Sequence, residues 1–281
     1  MTSTPNIYAQ KSWDELYNLQ EPLNFDEFLQ SDLLSSKRRH NAAISIIRPI
    51  SGSISLISSV AIIYHLYKSH NRLSTTNHRL VLGLCVADVL SSFSHVISAI
   101  AVPREMKYLF PFSSGNIQSC VFRVALLLFG AICSALYNCS LCLNYLAIIR
   151  FNKTDQFIEK KLEIWLHGIP VIIPLLINLI LAPYKVYNNS GREGPFCFVQ
   201  QYNPPHCIGH NYGSIPEYFH TPCGRGQNVG KPIVFITFRC GQSLALFVTP
   251  SVIIFCMAVM YRSVSIASRC SFRMAVGIQL L

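Results

Sequence analysis

Five long apolar segments alternate with polar stretches along the chain. They cover about residues 42–67, 80–103, 120–149, 162–184 and 232–261. A helix rises about 1.5 Å per residue, so roughly 20 apolar residues cross a hydrocarbon layer of about 30 Å. Every segment is long enough for this. The pattern therefore predicts an all-α membrane protein, a bundle of five transmembrane helices.

The third segment, residues 120–150, differs from the others because small and polar residues recur along it. Gly130, Ser134, Asn138 and Asn144 stand about one or two turns apart. Small residues let neighbouring helices approach closely, and Ser or Asn can hydrogen-bond across the contact. We therefore expect this helix to be the central one.

Polar residues flank the apolar part of the chain at both ends. Residues 1–41 are polar and mixed in charge. The spaced aromatics and leucines of residues 13–33 favour a short amphipathic helix, but Pro22 interrupts it, so we expect a disordered N-terminus. The transmembrane bundle then covers residues 42–262, and residues 263–281 form a tail.

Composition agrees with a membrane protein. The chain is 51% hydrophobic and 13% charged, whereas a soluble domain carries about 25% charged residues. Its net charge of +10 comes from bases between the apolar segments, which is typical of membrane flanks and does not require nucleic acid. No metalloprotease, serine-hydrolase or phosphate-loop motif occurs, so we expect no enzyme activity.

Basic residues and cysteines indicate the orientation. The short loops 68–79 and 150–161 and the tail are basic, which favours a cytoplasmic position for them and an extracellular N-terminus at the plasma membrane. Four cysteines lie on the opposite side and allow up to two disulfides in three connectivities. Asn188 opens a glycosylation sequon on that same side. The four cysteines are Cys120, Cys197, Cys207 and Cys223.

Asp88 is the sharpest candidate site, because a carboxylate inside a membrane helix costs about 2.5–3.5 kcal/mol. It is either a cation or proton site and polar hub, or a protonated contact between helices. Its candidate partners are Asn138, Ser134, Asn144 and Ser58 or Ser59. His95 is either a member of the pocket whose rim is described next or a packing residue. Arg123 and Arg239 form either a basic rim that attracts an anionic ligand, or arginines that are paired or reach the interface.

The order of these features resembles the rhodopsin-like (class A) seven-transmembrane G-protein-coupled receptors. Residues 84–90 read LCVADVL, like the LAxxDLL of their second helix, and residues 140–148 read SLCLNYLAI, like SLxxxDRYLAI. Trp165 with Pro174 is similar to the fourth helix, and residues 247–250, FVTP, to the FxxP of the fifth.

The resemblance implies roles for single residues. Asp88 falls on the sodium-binding, activation-linked aspartate, and Cys120 on the cysteine joined to the second extracellular loop. The end of the third helix would face a heterotrimeric G protein. The candidate coupling residues are Asn144, Tyr145, Arg150, Lys160 and Lys161.

Two departures limit the resemblance. Leu143 and Asn144 stand where the family has an acid and an arginine, which argues against ordinary G-protein coupling. No counterpart of helices six and seven follows residue 262, so the architecture is an incomplete seven-helix one.

Three functions fit the sequence. The first is a receptor that transmits an extracellular ligand signal to the cytoplasm. The second is a small-solute or ion transporter or channel with Asp88, His95 and Asn138 along a polar path. The third is a truncated, non-signalling receptor fragment. Beyond a sodium ion at Asp88, we expect no cofactor.

Overall fold

A computed structural model describes residues 32–69, 74–189, 194–202 and 224–278. The described chain is mostly helical. Three short 3₁₀ turns, Arg104–Tyr108, Ala182–Tyr184 and Gln227–Gly230, connect the longer elements. The helices are α1 (Asp32–Lys68), α2 (Thr76–Val96), α3 (Ile117–Phe151), α4 (Asp155–Lys161), α5 (Glu163–Leu181), α6 (Pro232–Ser243) and α7 (Thr249–Ile278).

Within the described residues, five helical stretches are long and apolar enough to cross a membrane, which confirms the five predicted segments and indicates a multi-pass membrane protein. A π-helical turn, Leu244–Val248, joins α6 to α7, so these two helices form one stretch. The five stretches are Arg38–Lys68, Thr76–Val96, Ile117–Phe151, Glu163–Tyr184 and Pro232–Ser263.

The π-helical turn has a local cause in the sequence. Pro250 has no N–H, so it cannot bond the carbonyl of residue 246 four positions earlier. Thr249 instead donates from Oγ1 to the Leu244 carbonyl over 2.8 Å. A widened turn before a proline is a common way to accommodate the lost hydrogen bond.

The bounds differ from the predicted ones at three ends. α1 begins at Asp32, inside the stretch predicted to be disordered, and residues 1–31 lie outside the described part. α2 ends at Val96, well before Pro103, and turns follow it. α7 continues through the predicted tail to Ile278. At α1 and α7 the helical backbone extends further into polar sequence than hydropathy detects. At α2 the helix ends before the apolar sequence does, and residues 97–102 form turns.

The chain divides into two compact units. The first unit contains Met1–Ser55, Ser92–Leu127 and Asn178–Thr237, and the second contains Leu56–Ser91, Leu128–Ile177 and Phe238–Leu281. In the second unit, α2, α3, α4 and α5 share an apolar cluster. Its buried members are Leu80, Ala87, Cys133, Tyr137, Ala147, Ile158 and Leu166.

A short antiparallel pair of strands lies in the first unit. β1 (Tyr187–Asn188) pairs with β2 (Phe198–Val199), and Tyr187 stands opposite Val199. Tyr187 is buried and donates its hydroxyl to Asn178 Oδ1 over 3.0 Å. Burial raises the pKa of this phenol. The strand pair thereby links Tyr187–Asn188 to Phe198–Val199 within the described part of the loop after α5.

The second unit confirms the close approach expected of a small residue in the third segment. A Cβ placed on Gly130 of α3 would lie 2.6 Å from the backbone nitrogen of Ser91 and 2.9 Å from the carbonyl oxygen of Ala87. Since real side chains do not approach so closely, only glycine lets α2 and α3 meet here.

Candidate functional site

A polar cluster in the second unit contains the predicted membrane carboxylate. Ser134 on α3 donates from Oγ to Asp88 Oδ1 on α2 over 2.6 Å. Asn138, one turn further along α3, donates from Nδ2 to the Ser134 carbonyl over 3.1 Å. The structure therefore brings Asp88 and Ser134 into direct contact, while Asn138 bonds the backbone of its own helix.

This cluster leaves Asp88 with unused acceptor capacity. A carboxylate has about four lone-pair sites, and Ser134 fills one of them. Such a group can hold a proton or a monovalent cation. Among the described residues, no group of three His, Cys, Asp or Glu side chains could hold a metal ion.

In the first unit, a disulfide joins Cys120 at the start of α3 to Cys197 beside β2, with 5.6 Å between the two Cα atoms. One of the predicted pairings is thus present. Cys207 and Cys223, the other two candidates, lie outside the described residues. The disulfide ties the loop after α5 to α3.

Arg123, one turn along α3 from Cys120, is fully buried in the first unit. Its Nε donates to the Ser94 carbonyl over 3.1 Å, and its Nη1 to the Cys197 carbonyl over 2.6 Å. Its Nη2 is buried and has no hydrogen-bond partner among the described residues. Arg123 is therefore enclosed by protein atoms, with two of its nitrogens bonded to backbone carbonyls.

An aromatic ring lies beside Arg123. The Cζ atom of Arg48, on α1, stands 3.6 Å from the centroid of the Phe196 ring, and the Cζ atom of Arg123 stands 5.9 Å from it. The half-buried His95 side chain packs against α1, since a Cβ on Gly52 would lie 2.9 Å from His95 Cβ. Arg48, His95 and Arg123 thus share one small region of the first unit, and the sequence reasoning missed Arg48 as a member.

Arg239, the other predicted basic residue, is described within its own unit. It belongs to the second unit, is exposed, and lies with Nη1 3.5 Å from Oε1 of Gln242 on its own helix. The basic rim of Arg123 and Arg239 stays a prediction.

The predicted coupling residues have different environments. Asn144 is buried, with 1% of its surface exposed, and neither amide atom has a partner among the described residues. Tyr145 and Arg150 are exposed on α3. Lys160 and Lys161 are exposed at the end of α4. Four of the five are accessible, whereas Asn144 is not a surface residue.

Asn188, the predicted glycosylation site, is engaged on both sides of its amide. Nδ2 donates to the carbonyls of Lys185 and Gln200 over 2.7 and 2.9 Å, and Oδ1 accepts from Nε of Arg225 over 2.9 Å. Burial lowers the pKa of Arg225. A glycan on Nδ2 would have to replace these bonds, and glycosylation at Asn188 stays a prediction.

The sequence reasoning missed a charged network in the second unit. Arg79 on α2 donates from Nη2 to Glu163 Oε2 of α5 over 2.8 Å and lies 3.3 Å from Glu159 Oε1 of α4. Nε2 of His167 stands 3.8 Å from Glu163 Oε1, and its Nδ1 stands 3.1 Å from the Tyr137 hydroxyl. The sequence signal for this network was the opposite charge of Arg79, near the start of the second segment, and Glu163, near the start of the fourth.

Comparisons with protein-family models, curated proteins and solved structures find no match to this chain.

Proposed function

We propose that this chain is a receptor-like protein of the plasma membrane that transmits an extracellular ligand signal to the cytoplasm. The observation that carries the proposal is the Cys120–Cys197 disulfide. It links the start of a central membrane helix to the loop after the next membrane-spanning stretch, as the resemblance to class A receptors implies. Such a linkage builds a fixed ligand-facing surface from a helix end and a loop.

The disulfide also supports the orientation. Disulfides persist in oxidising compartments, so the Cys120 end of α3 would face the outside. Loops 68–79 and 150–161 would then be cytoplasmic, with Arg150, Lys160 and Lys161 exposed to a heterotrimeric G protein or another transducer.

Asp88 supplies the element that a signal would change. A ligand shifts an equilibrium between two helix arrangements only by its difference in affinity for them. The hydrogen bond between Ser134 and Asp88 joins α2 to α3. A sodium ion or proton bound there would favour one arrangement over the other.

Nucleotide exchange by a reconstituted G protein tests the proposal. The purified chain, in lipid nanodiscs with a heterotrimeric G protein, is expected to accelerate exchange above the rate of the G protein alone. Asp88→Asn is expected to change that acceleration, while Arg104→Gln, on an exposed arginine of the first unit, leaves it unaltered.

Two results would contradict the receptor proposal. Exchange that never exceeds the rate of the G protein alone, across a panel of G-protein classes, would favour a non-signalling chain. Proton or sodium flux into liposomes that disappears in Asp88→Asn would favour a transporter or channel.

A further inference from the structure

Arg123 presents an electrostatic problem within the first unit. A buried cation is normally paired with a carboxylate, because removal of a charge from water is unfavourable without a partner. Arg123 has no exposed surface, and its two hydrogen bonds go to neutral carbonyls. No described residue forms a salt bridge with it. Its Nη2 carries two N–H groups without an acceptor.

The surroundings add positive charge instead of removing it. Arg48 and Arg123 repel each other electrostatically, and both act on His95. Within the described residues of the first unit, Asp32 and Glu105 are the acidic ones. Glu105 Oε2 accepts from the Tyr202 hydroxyl over 3.3 Å. The region therefore has a positive potential that attracts anions.

We propose that Arg123, supported by Arg48 and His95, is the binding site for a carboxylate group. This proposal rests on the proposed receptor function, which supplies the ligand. It adds the chemistry of that ligand: a carboxylate that accepts hydrogen bonds from Nη2 of Arg123. A water molecule would satisfy Nη2 but would leave the charge uncompensated.

A monovalent oxyanion fits better than a divalent one. One guanidinium has an unused, buried donor, and the other, Arg48, already lies against the Phe196 ring. Guanidinium N–H groups are arranged to match the two oxygens of a carboxylate. One negative charge compensates the charge of Arg123, whose Nη2 is buried and without an acceptor among the described residues.

The carboxylate has two possible sources, and both share this chemistry. It belongs either to a separate ligand or to the acidic N-terminal stretch of the chain. That stretch contains Asp14, Glu15, Glu21, Asp26 and Glu27.

Thermal unfolding of the full chain in detergent micelles tests the proposal with acetate as the probe. Sodium acetate replaces sodium chloride at constant ionic strength, and acetamide serves as the uncharged analogue. An anion that binds the folded form raises the melting temperature. We expect a saturable rise of several degrees with acetate and none with acetamide. Arg123→Gln abolishes the rise, while Arg104→Gln, on an exposed arginine of the first unit, keeps it.

Two further variants keep the test decisive. If Arg123→Gln does not fold, Arg48→Gln leaves the hydrogen bonds of Arg123 in place and should raise the acetate midpoint several-fold. A further variant replaces the five N-terminal Asp and Glu residues with Asn and Gln and identifies the source of the carboxylate. If acetate raises the melting temperature only in this variant, the carboxylate belongs to the chain itself.

Three results would overturn the proposal. They are an equal rise in a folded Arg123→Gln variant, an acetate midpoint unchanged in Arg48→Gln, and no rise in either the wild type or the amide variant. Nucleotide exchange is measured independently, so an intact acetate response without exchange would contradict the receptor function and leave the carboxylate site standing.

Discussion

Two arginines, one in each compact unit, are bound in opposite ways. Arg79 in the second unit is partly exposed and bonded through two nitrogens to Glu163, at 2.5 and 2.8 Å, with Glu159 nearby. Arg123 in the first unit is fully buried, and its described partners are two neutral carbonyls. The more expensive charge to bury is therefore the one without a counter-charge.

The difference separates two roles for a membrane-helix arginine. The second unit compensates its own cation, so Arg79 joins α2, α4 and α5 as part of the structure. The first unit leaves its cation uncompensated among the described residues, which is expected where a charge serves a ligand. Residues at binding sites often violate the rules that hold elsewhere in the same protein.

Among the changes that test this comparison, loss of the disulfide should have the largest effect on stability. Cys120→Ser with Cys197→Ser opens a link across a sequence separation of 77 residues. We expect a loss of about 2–4 kcal/mol in the free energy of unfolding, because the unfolded chain gains freedom. It also releases the carbonyl that Arg123 bonds at 2.6 Å. Unfolding of the detergent-solubilised protein with and without reductant measures this loss in the free energy of unfolding.

Cys240→Ser is the matched control, since Cys240 is an exposed free cysteine in the second unit. It should leave stability unchanged. If the double variant were as stable as the wild type, the disulfide would not hold the loop near Arg123.

Glu163→Gln should have the next largest effect, because it removes the main counter-charge of Arg79. The two side chains are 25% and 18% exposed, so the pair is partly screened by solvent. We expect a loss of about 1–2 kcal/mol, more than for an exposed ion pair and less than for a fully buried one. Urea unfolding of detergent-solubilised protein measures it.

Glu159→Gln supplies the contrast on the same arginine. The Glu159 side chain is 51% exposed and lies 3.3 Å from Arg79, so its loss should change stability by about 0.5 kcal/mol or less. Equal losses of stability in Glu159→Gln and Glu163→Gln would mean that Arg79 does not depend mainly on Glu163.

Ser134→Ala should destabilise the chain by about 1 kcal/mol. It removes the hydrogen bond to Asp88 and leaves a partly buried carboxyl oxygen without its described donor. Ser251→Ala, on an exposed serine that bonds its own helix, should have almost no effect. A Ser134→Ala variant indistinguishable from Ser251→Ala would show that Asp88 does not need this donor.

The sequence predicts the membrane segments well because hydropathy is a local property. It also marks Asp88 and the four cysteines, since both follow from residue type and position. The choice of Cys197 over Cys207 and Cys223 depends on the fold of a loop, where local pattern carries little information. Asp32 as the start of α1 was missed because polar sequence can continue a helix that apolar sequence has begun.

The contacts of the two arginines could not be predicted for a different reason. Arg79 and Glu163 are 84 residues apart in sequence, and Arg123 and Cys197 are 74 apart. Periodicity gives the face of a helix but does not say which end of another helix lies opposite. Nothing in the sequence distinguishes Arg48 from the other bases that flank the apolar segments, although its Cζ atom stands 3.6 Å from the centre of the Phe196 ring.

Arg123→Met should have the smallest effect on stability, and this result would sharpen the comparison most. The variant loses two hydrogen bonds to carbonyls, but it also removes a buried charge that has no described counter-charge. These terms oppose each other, because apolar replacement of buried ionic groups is often neutral or stabilising. We expect a change of less than about 1 kcal/mol by urea unfolding, together with loss of the acetate response. Arg79→Met, which strands Glu163, should cost more. If Arg123→Met lost more stability than Arg79→Met, Arg123 would be the structural arginine, and its burial would serve to stabilise the fold.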